Sequence, residues 1–225
     1  MRITPALVAA LALAGCLVPR PAEALTLNFD CITNNLAADC AIGVAQLRVE
    51  AVDSGTLLDT NNVLRSTASL TFTNVGTSAS SITDVYFDNG TLLGIASITA
   101  NTSGVSFSQG ASPPNLPGGA SISPPFVATA EFHADSNPPV QPNGVNPGES
   151  LTVRFFLLSS GTFADVEQEL ADGRVRVGMH VQGFASGGSE GFVNYPAVPV
   201  PAALWLLASG LGGLGAMARR QKFRA

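Results

Sequence analysis

One serine lies in a sequence pattern that is typical of a catalytic nucleophile. Residues 187–191 read Gly-Gly-Ser-Glu-Gly and match G-x-S-x-G, in which Ser189 would sit on a sharp turn between a strand and a helix. That chemistry needs a histidine base downstream, whereas His133 and His180 both precede Ser189. The residues that follow, 192–196, do not favour a helix. We therefore predict no catalytic residues and no enzymatic activity, with a small hydrolase using Ser189 as the remote alternative.

The two histidines are the next candidates for ligand chemistry. His180 lies on a predicted polar strand face, which favours a solvated surface; the alternative is a hydrogen-bonding patch for a sugar or a neighbouring protein. The other members of that face are Arg174, Arg176 and Gln182. His133 is far from His180 in the sequence, so the pair does not indicate zinc. Acidic residues near turns leave weak Ca²⁺ binding open, but no EF-hand loop occurs, and we predict no cofactor and no metal site.

Two cysteines, Cys31 and Cys40, remain in the chain once an N-terminal leader has been set aside. An even pair in an exported chain predicts a disulfide. Closing a loop this short would stabilise the fold by roughly 2.5–3 kcal/mol on the chain-entropy model. A metal site is disfavoured because no further cysteine and no obvious histidine ligand lie nearby.

The segments that must position these residues have the period of strands. Apolar and polar residues alternate in four segments, at residues 45–51, 69–73, 151–157 and 174–182. Asp88-Asn89-Gly90 separates two further apolar segments and predicts a β-hairpin with a type I′ turn. Short strands separated by Gly, Pro and Asn predict a mainly β fold, an antiparallel β-sandwich over residues 25–195.

One short helix interrupts this pattern. Apolar residues at i, i+3 and i+7 in the segment 163–170 predict an amphipathic helix. Thr162 and Asp165 have the spacing of a capping box, and Gly173 would end the helix. Two long segments, 109–125 and 135–149, are rich in Pro and predict stiff surface loops.

Composition excludes several classes of protein. Of 225 residues, 46% are hydrophobic and 12% charged, and the 23 Gly and 15 Pro argue against a helical bundle. Residues 25–200 carry 15 acidic and five basic side chains, a net charge of −10, with no Lys. Such a surface disfavours nucleic acid and favours cations or neutral sugars as partners.

The N-terminus predicts a secretory signal over residues 1–24. Arg2 precedes an apolar run, and Ala22-Glu23-Ala24 is a small-x-small site, so the mature chain would begin at Leu25 after signal peptidase cleavage. The alternative is lipidation of Cys16, because Leu-Ala-Gly-Cys fits a lipobox.

The C-terminus, residues 196–225, combines three features. A Pro-containing motif of five residues comes first: Val198, Pro199, Val200, Pro201 and Ala202. Residues 201–218 are uncharged and would span roughly 27 Å as a helix, close to the ~30 Å of a hydrocarbon core. The basic residues of the tail 219–225 would stay in the cytoplasm and place the preceding domain outside: Arg219, Arg220, Lys222 and Arg224.

These features together resemble a PEP-CTERM sorting signal, in the variant that begins Val-Pro-x-Pro-Ala, with Val200 where the name-giving Glu stands in other members. The resemblance covers about an eighth of the chain. It implies recognition and removal of the tail by an exosortase-type membrane protease in a Gram-negative bacterium that makes exopolysaccharide. We therefore expect an inner-membrane precursor that becomes a non-enzymatic protein of the cell surface or extracellular matrix. The alternative is an adhesion module that binds carbohydrate or protein.

Overall fold

The computed structural model describes residues 24–128, 132–158 and 161–195, and these form two antiparallel β-sheets with few helices. Strands and helices are numbered in chain order. The first sheet has the spatial order β1 (Leu25–Leu27), β3 (Leu47–Leu58), β4 (Leu64–Asn74), β9 (Ser150–Leu157) and β6 (Leu92–Ala100). The second has the order β2 (Phe29–Cys31), β11 (Glu190–Asn194), β10 (Val175–Gln182), β5 (Ser81–Asn89), β8 (His133–Ser136) and β7 (Phe107–Gln109). The described helices are α1 (Ala37–Gln46), α2 (Val140–Asn143) and α3 (Phe163–Asp172), with a 3₁₀ turn at Gly119–Ser121.

The two sheets share one apolar core, in a sandwich-like arrangement. Strand β9 alternates buried and half-exposed residues along its whole length, as its sequence predicts. Phe87 of the second sheet meets two rings of the first sheet edge to face, with centroids 4.6 Å from Phe155 and 5.8 Å from Phe72. These contacts confirm the prediction of a mainly β, antiparallel domain.

Helix α3 begins and ends as the sequence predicts. The Thr162 side chain accepts a hydrogen bond from the Asp165 N–H, and the Asp165 side chain accepts one from the Thr162 N–H, so the capping box is complete. Gly173 ends the helix with φ of 78°, in the left-handed region that glycine adopts without strain. The helix buries Val166 and Leu170.

The prediction of a single helix is incomplete, because α1 precedes the first long strand. Its N-cap, Leu36, has no side-chain cap, and the alternating pattern begins only at Leu47, not at residue 45. Long-range contacts hold this helix in place. Gly43 lies against the Phe192 ring so closely that a Cβ there would come within 2.1 Å of the ring, and Cys40 is joined to Cys31.

The prediction of a hairpin at residues 88–90 is wrong. Strand β5 pairs with β10 and β8 in the second sheet, so both of its edges are occupied, and β6 pairs with β9 in the first sheet. The turn therefore crosses between sheets. At the crossover the Thr91 N–H donates to a Glu169 carboxylate oxygen at 2.6 Å. Gly90 has φ of 39°, and a Cβ there would lie 2.1 Å from the same carboxylate.

Predictions about the two ends fall mostly outside the described residues. Ala24 precedes the first strand and Leu25 begins it. The remaining residues of the predicted leader, sorting motif and basic tail lie beyond the described part of the chain: Cys16, Ala22, Val198, Pro199, Val200, Pro201, Ala202, Arg219, Arg220, Lys222 and Arg224. Among helices within residues 24–128, 132–158 and 161–195, none combines the length and apolarity that a membrane crossing requires.

Candidate functional site

A row of ionisable side chains crosses the outer face of the second sheet. The strand register places His180 of β10 opposite Asp84 of β5, and Asp84 opposite Asp135 of β8. The His180 Nδ1 lies 3.0 Å from Asp84 Oδ2, and the Thr83 hydroxyl donates to the same oxygen at 2.9 Å. Asp84 is 1% exposed and His180 is 8% exposed. The prediction of a solvated face around His180 is therefore wrong.

The two carboxyl groups of this row belong to residues that are direct partners across the strands, Asp84 and Asp135. Burial, the negative charge of Asp84 and the hydrogen bond with Asp84 raise the pKa of Asp135 to about 6. Asp84 Oδ1 is buried and has no hydrogen-bond partner within the described residues, so it can accept a proton donated by Asp135. A protonated Asp135 is thus the form that suits two carboxyl groups placed side by side.

A second row lies one step further along the same face. Tyr86 pairs with Gly178 on one side and His133 on the other, and the Tyr86 and His133 rings have centroids 6.1 Å apart. The Tyr86 hydroxyl donates to the Pro113 carbonyl at 2.8 Å. Burial and the neighbouring Asp84 and Asp135 carboxylates raise the pKa of Tyr86, so this hydroxyl stays a donor.

The segment 111–126, which we call the cover, packs on these rows. Leu116 and Phe126 of the cover form an apolar cluster with Tyr86 and Val193. Gly178 makes room for them, since a Cβ there would lie 2.6 Å from a Leu116 methyl group. The segment predicted as a stiff surface loop is therefore a packed layer over the second sheet.

Arg176 ties the far end of the cover to the sheet. Its guanidinium donates to the Pro124 and Pro125 carbonyls, both at 2.7 Å, and to the Asp88 carboxylate at 2.9 Å. The same group lies 5.3 Å from the centre of the Phe126 ring, in cation–π geometry. All three nitrogens of the Arg176 guanidinium thus donate hydrogen bonds within the protein, so the group is not free to bind a ligand.

A cleft of about 430 Å³ opens beside the cover. Its polar rim includes Asp30 and Asp172, and Tyr195 offers an aromatic ring that is 42% exposed. Ile32, Val193 and Ile122 provide apolar floor and wall. Arg176 also lines the cleft, and Asp172 is paired with Arg174 at 2.9 Å. An exposed aromatic ring beside such polar groups suits a neutral polyhydroxylated ligand.

Cys31 and Cys40 lie at bonding distance, with their sulfurs 2.04 Å apart, as the sequence predicts. The buried Glu190 comes within 3.6 Å of the Cys31 sulfur. The three side chains have potential metal-ligand atoms within 4.8 Å of one another. In the disulfide form the two sulfurs are bonded to each other, so no thiolate is present to bind a metal.

Glu190, the fourth residue of the G-x-S-x-G pattern, accepts several long-range hydrogen bonds, and no local sequence signal marks it. Its carboxylate accepts hydrogen bonds from the Leu36 N–H at 2.6 Å, the Asn35 N–H at 3.0 Å and the Thr33 hydroxyl. Ser189 is followed by strand β11, where a nucleophile elbow requires a helix, and its carbonyl accepts from the Asn35 side chain. The pattern therefore marks an anchor for the turn before α1.

No protein-family model, no curated protein and no solved structure matches this chain.

Proposed function

We propose that this chain is an exported, non-enzymatic protein of the bacterial surface or extracellular matrix, delivered through its C-terminal sorting signal. The observation that carries the proposal is the order of features in residues 198–225: a Pro-containing motif, an uncharged segment of membrane-spanning length, and four basic residues. The paired cysteines support it, because disulfides persist in oxidising compartments.

Processing at both ends is compatible with the described domain. Cleavage after Ala24 would leave Leu25, the first residue of β1, as the new N-terminus with its strand complete. The last strand ends at Asn194, so cleavage near Pro199 would leave every described element intact. Exopolysaccharide is the proposed surrounding of the released domain.

The test is intact mass spectrometry of the native protein from the envelope and from the medium. We expect a mass that runs from Leu25 to a C-terminus near Pro199. A chain that still ends at Ala225 would identify an anchored membrane protein and contradict removal of the tail. A lipid adduct on Cys16 would identify a lipoprotein and contradict cleavage after Ala24.

The basic tail is tested separately, by cell fractionation after changing its charge. Replacing the four basic residues of 219–225 with Asn should allow the tail to pass through the membrane, so that membrane retention falls. Gln221→Asn changes the same segment without changing its charge and should behave as wild type. Unchanged retention of the uncharged variant would refute this role for the tail.

The cleft beside the cover favours a second candidate function, binding of a neutral saccharide. An exposed aromatic ring next to Asp30 and Asp172 can stack on a sugar ring while the carboxylates accept from its hydroxyl groups. A glycan array with the purified protein tests this, with Tyr195→Ala expected to abolish any signal. Val127→Ala removes an exposed apolar side chain outside the cleft and should leave the signal unchanged.

A further inference from the structure

Exposed apolar side chains gather at one end of the domain. Six of the eleven large apolar residues that the described chain exposes lie there, each between 37 and 63% exposed. We call this group the apolar end, and it consists of Leu57, Leu58, Val63, Leu64, Leu93 and Leu158. Single exposed apolar residues are ordinary, but a group of this size marks an interaction surface.

The strand register places these residues together. The hairpin of β3 and β4 extends past its last pair with β9, which joins Thr67 to Phe156, and it continues to the pair Leu58 and Leu64. Val63, Leu64 and Leu158 line one small cleft of about 210 Å³. Leu93 follows Leu92, which pairs with Leu157 at the same end of the first sheet.

The described chain also ends on this side of the domain. Strand β11 runs towards the end of β10 that contains Val175, and Val175 pairs with Asn89. From Asn89 the chain crosses directly into β6, which begins beside Leu157. Tyr195 therefore leaves the second sheet at the same end at which the leucines project from the first.

Little chain separates this end from the predicted membrane segment. Six residue steps lead from Tyr195 to Pro201, and a fully extended chain of that length reaches about 20 Å. A domain on so short a connection must present one side to the lipid surface. The end from which the connection leaves is the side nearest the membrane.

The hairpin tip is electrically neutral although the domain is acidic. Within residues 56–66 the only charged side chains are Asp59 and Arg65, and they pair at 2.6 Å. Residues 25–200 have a net charge of −10, so the rest of the domain is acidic. A contact with lipid at the tip would thus be apolar, and it would be weaker on anionic than on zwitterionic membranes.

We propose that, in the precursor that still carries its tail, the apolar end rests on the lipid surface of the membrane that holds residues 201–218, with the side chains of the β3–β4 tip in the interfacial region. This inference rests on the proposed function, because it takes residues 201–218 as the anchor. The occupant is the lipid surface. A second copy of the chain would bring together two domains that each have a net charge of −10 in residues 25–200, and like charges oppose that arrangement.

The test uses the full chain in phosphatidylcholine vesicles, with Cys16→Ser to leave one free cysteine for labelling. An environment-sensitive fluorophore is attached at Leu58→Cys, at Leu64→Cys, or at Thr77→Cys, which is exposed beyond the opposite end of β4. Trp205 is the chain's single tryptophan, so its fluorescence reports on the predicted anchor independently. Brominated lipids serve as the quencher for both probes.

We expect at least twofold quenching of labels at positions 58 and 64, with no quenching at 77, and quenching of Trp205. Addition of anionic lipid should reduce quenching at 58 and 64. If Trp205 is quenched while positions 58 and 77 behave alike, the anchor holds and the lipid contact is refuted. Absence of Trp205 quenching would refute the anchor. A further outcome is a label at position 58 that reports an apolar environment which brominated lipid does not quench. If that signal grows with the protein-to-lipid ratio, a second copy of the chain covers the apolar end, and the inference is overturned.

Discussion

The substitution Asp135→Asn should affect stability differently at acid and at neutral pH. Relative to wild type, the variant should be more stable at neutral pH than it is at acid pH. In the folded chain Asp135 is the strand partner of Asp84, and its carboxyl group is influenced by the backbone of Ser112, in the cover, and of Ser136. Its folded pKa of about 6 lies above its ordinary value of 3.8. Between these two pH values the folded chain holds a proton that the unfolded chain has lost. Stability from this group is therefore present at acid pH and lost as the pH rises through 6.

The magnitude follows from the displacement of that pKa. A change from 3.8 to about 6 corresponds to about 3 kcal/mol at 1.36 kcal/mol per pKa unit. Asp135 is partly exposed, so solvent screening reduces the effect, and we expect about 1–1.5 kcal/mol. Asparagine has no proton to lose, and its amide can donate to Asp84 at every pH.

The assay is urea unfolding of wild type and variant at pH 3.5, 5 and 7.5, followed by far-ultraviolet circular dichroism. The unfolding free energy of Asp135→Asn minus that of wild type should increase as the pH rises. Asp165→Asn is the matched control. Hydrogen bonds from Thr162 lower the pKa of Asp165, so its difference should move in the opposite direction. A difference for Asp135→Asn that does not change with pH, or that moves against the variant, would refute a shared proton in the folded state.

Four further predictions concern stability and are read from the same unfolding curves. Glu190→Ala orphans three donors in residues 33–36 and should cost about 3 kcal/mol, whereas equal stability would contradict its role as an anchor. Gly178→Val should cost about 1–3 kcal/mol by lifting the cover, with faster proteolysis of the cover as a second readout. Phe155→Ala should cost about 3–5 kcal/mol, because the ring joins both sheets. Thr162→Ala should cost about 1 kcal/mol through loss of the helix cap.

The elements that sequence predicted correctly are those whose signals are local. The alternation in β9 and β10 and the capping box of α3 each depend on residues within a few positions of one another. Helix α1 lacks such a signal at its start, and it depends on Glu190 and Phe192, about 150 residues later in the chain. The turn at residues 88–90 has local hairpin chemistry, but the edges of β5 are already taken by strands that lie elsewhere in the sequence.

The face of the second sheet that lies under the cover was also only partly predictable from local sequence. Period-two spacing places Asp84, Tyr86 and Asp88 on one face of β5, so part of the row was accessible from the sequence. Its burial was not, because the cover has no periodic pattern. Leu116 and Phe126 stand among Pro, Gly and Ser, and only the notch at Gly178 shows where they pack.

The domain is polarised along its strands, and this polarity connects its stability with its proposed position in the cell. Strand β3 begins at Leu47 beside α1, the disulfide and a buried network in which the Gln46 amide donates to Asn74 at 3.2 Å. It ends at Leu58 among exposed leucines. The first end is thus fixed by hydrogen bonds and a covalent link, although Leu36, Val44 and Val75 are exposed there. The other end has the larger group of exposed apolar side chains. In a precursor tethered as we propose, the hydrogen-bonded end would face water and the apolar end would meet lipid.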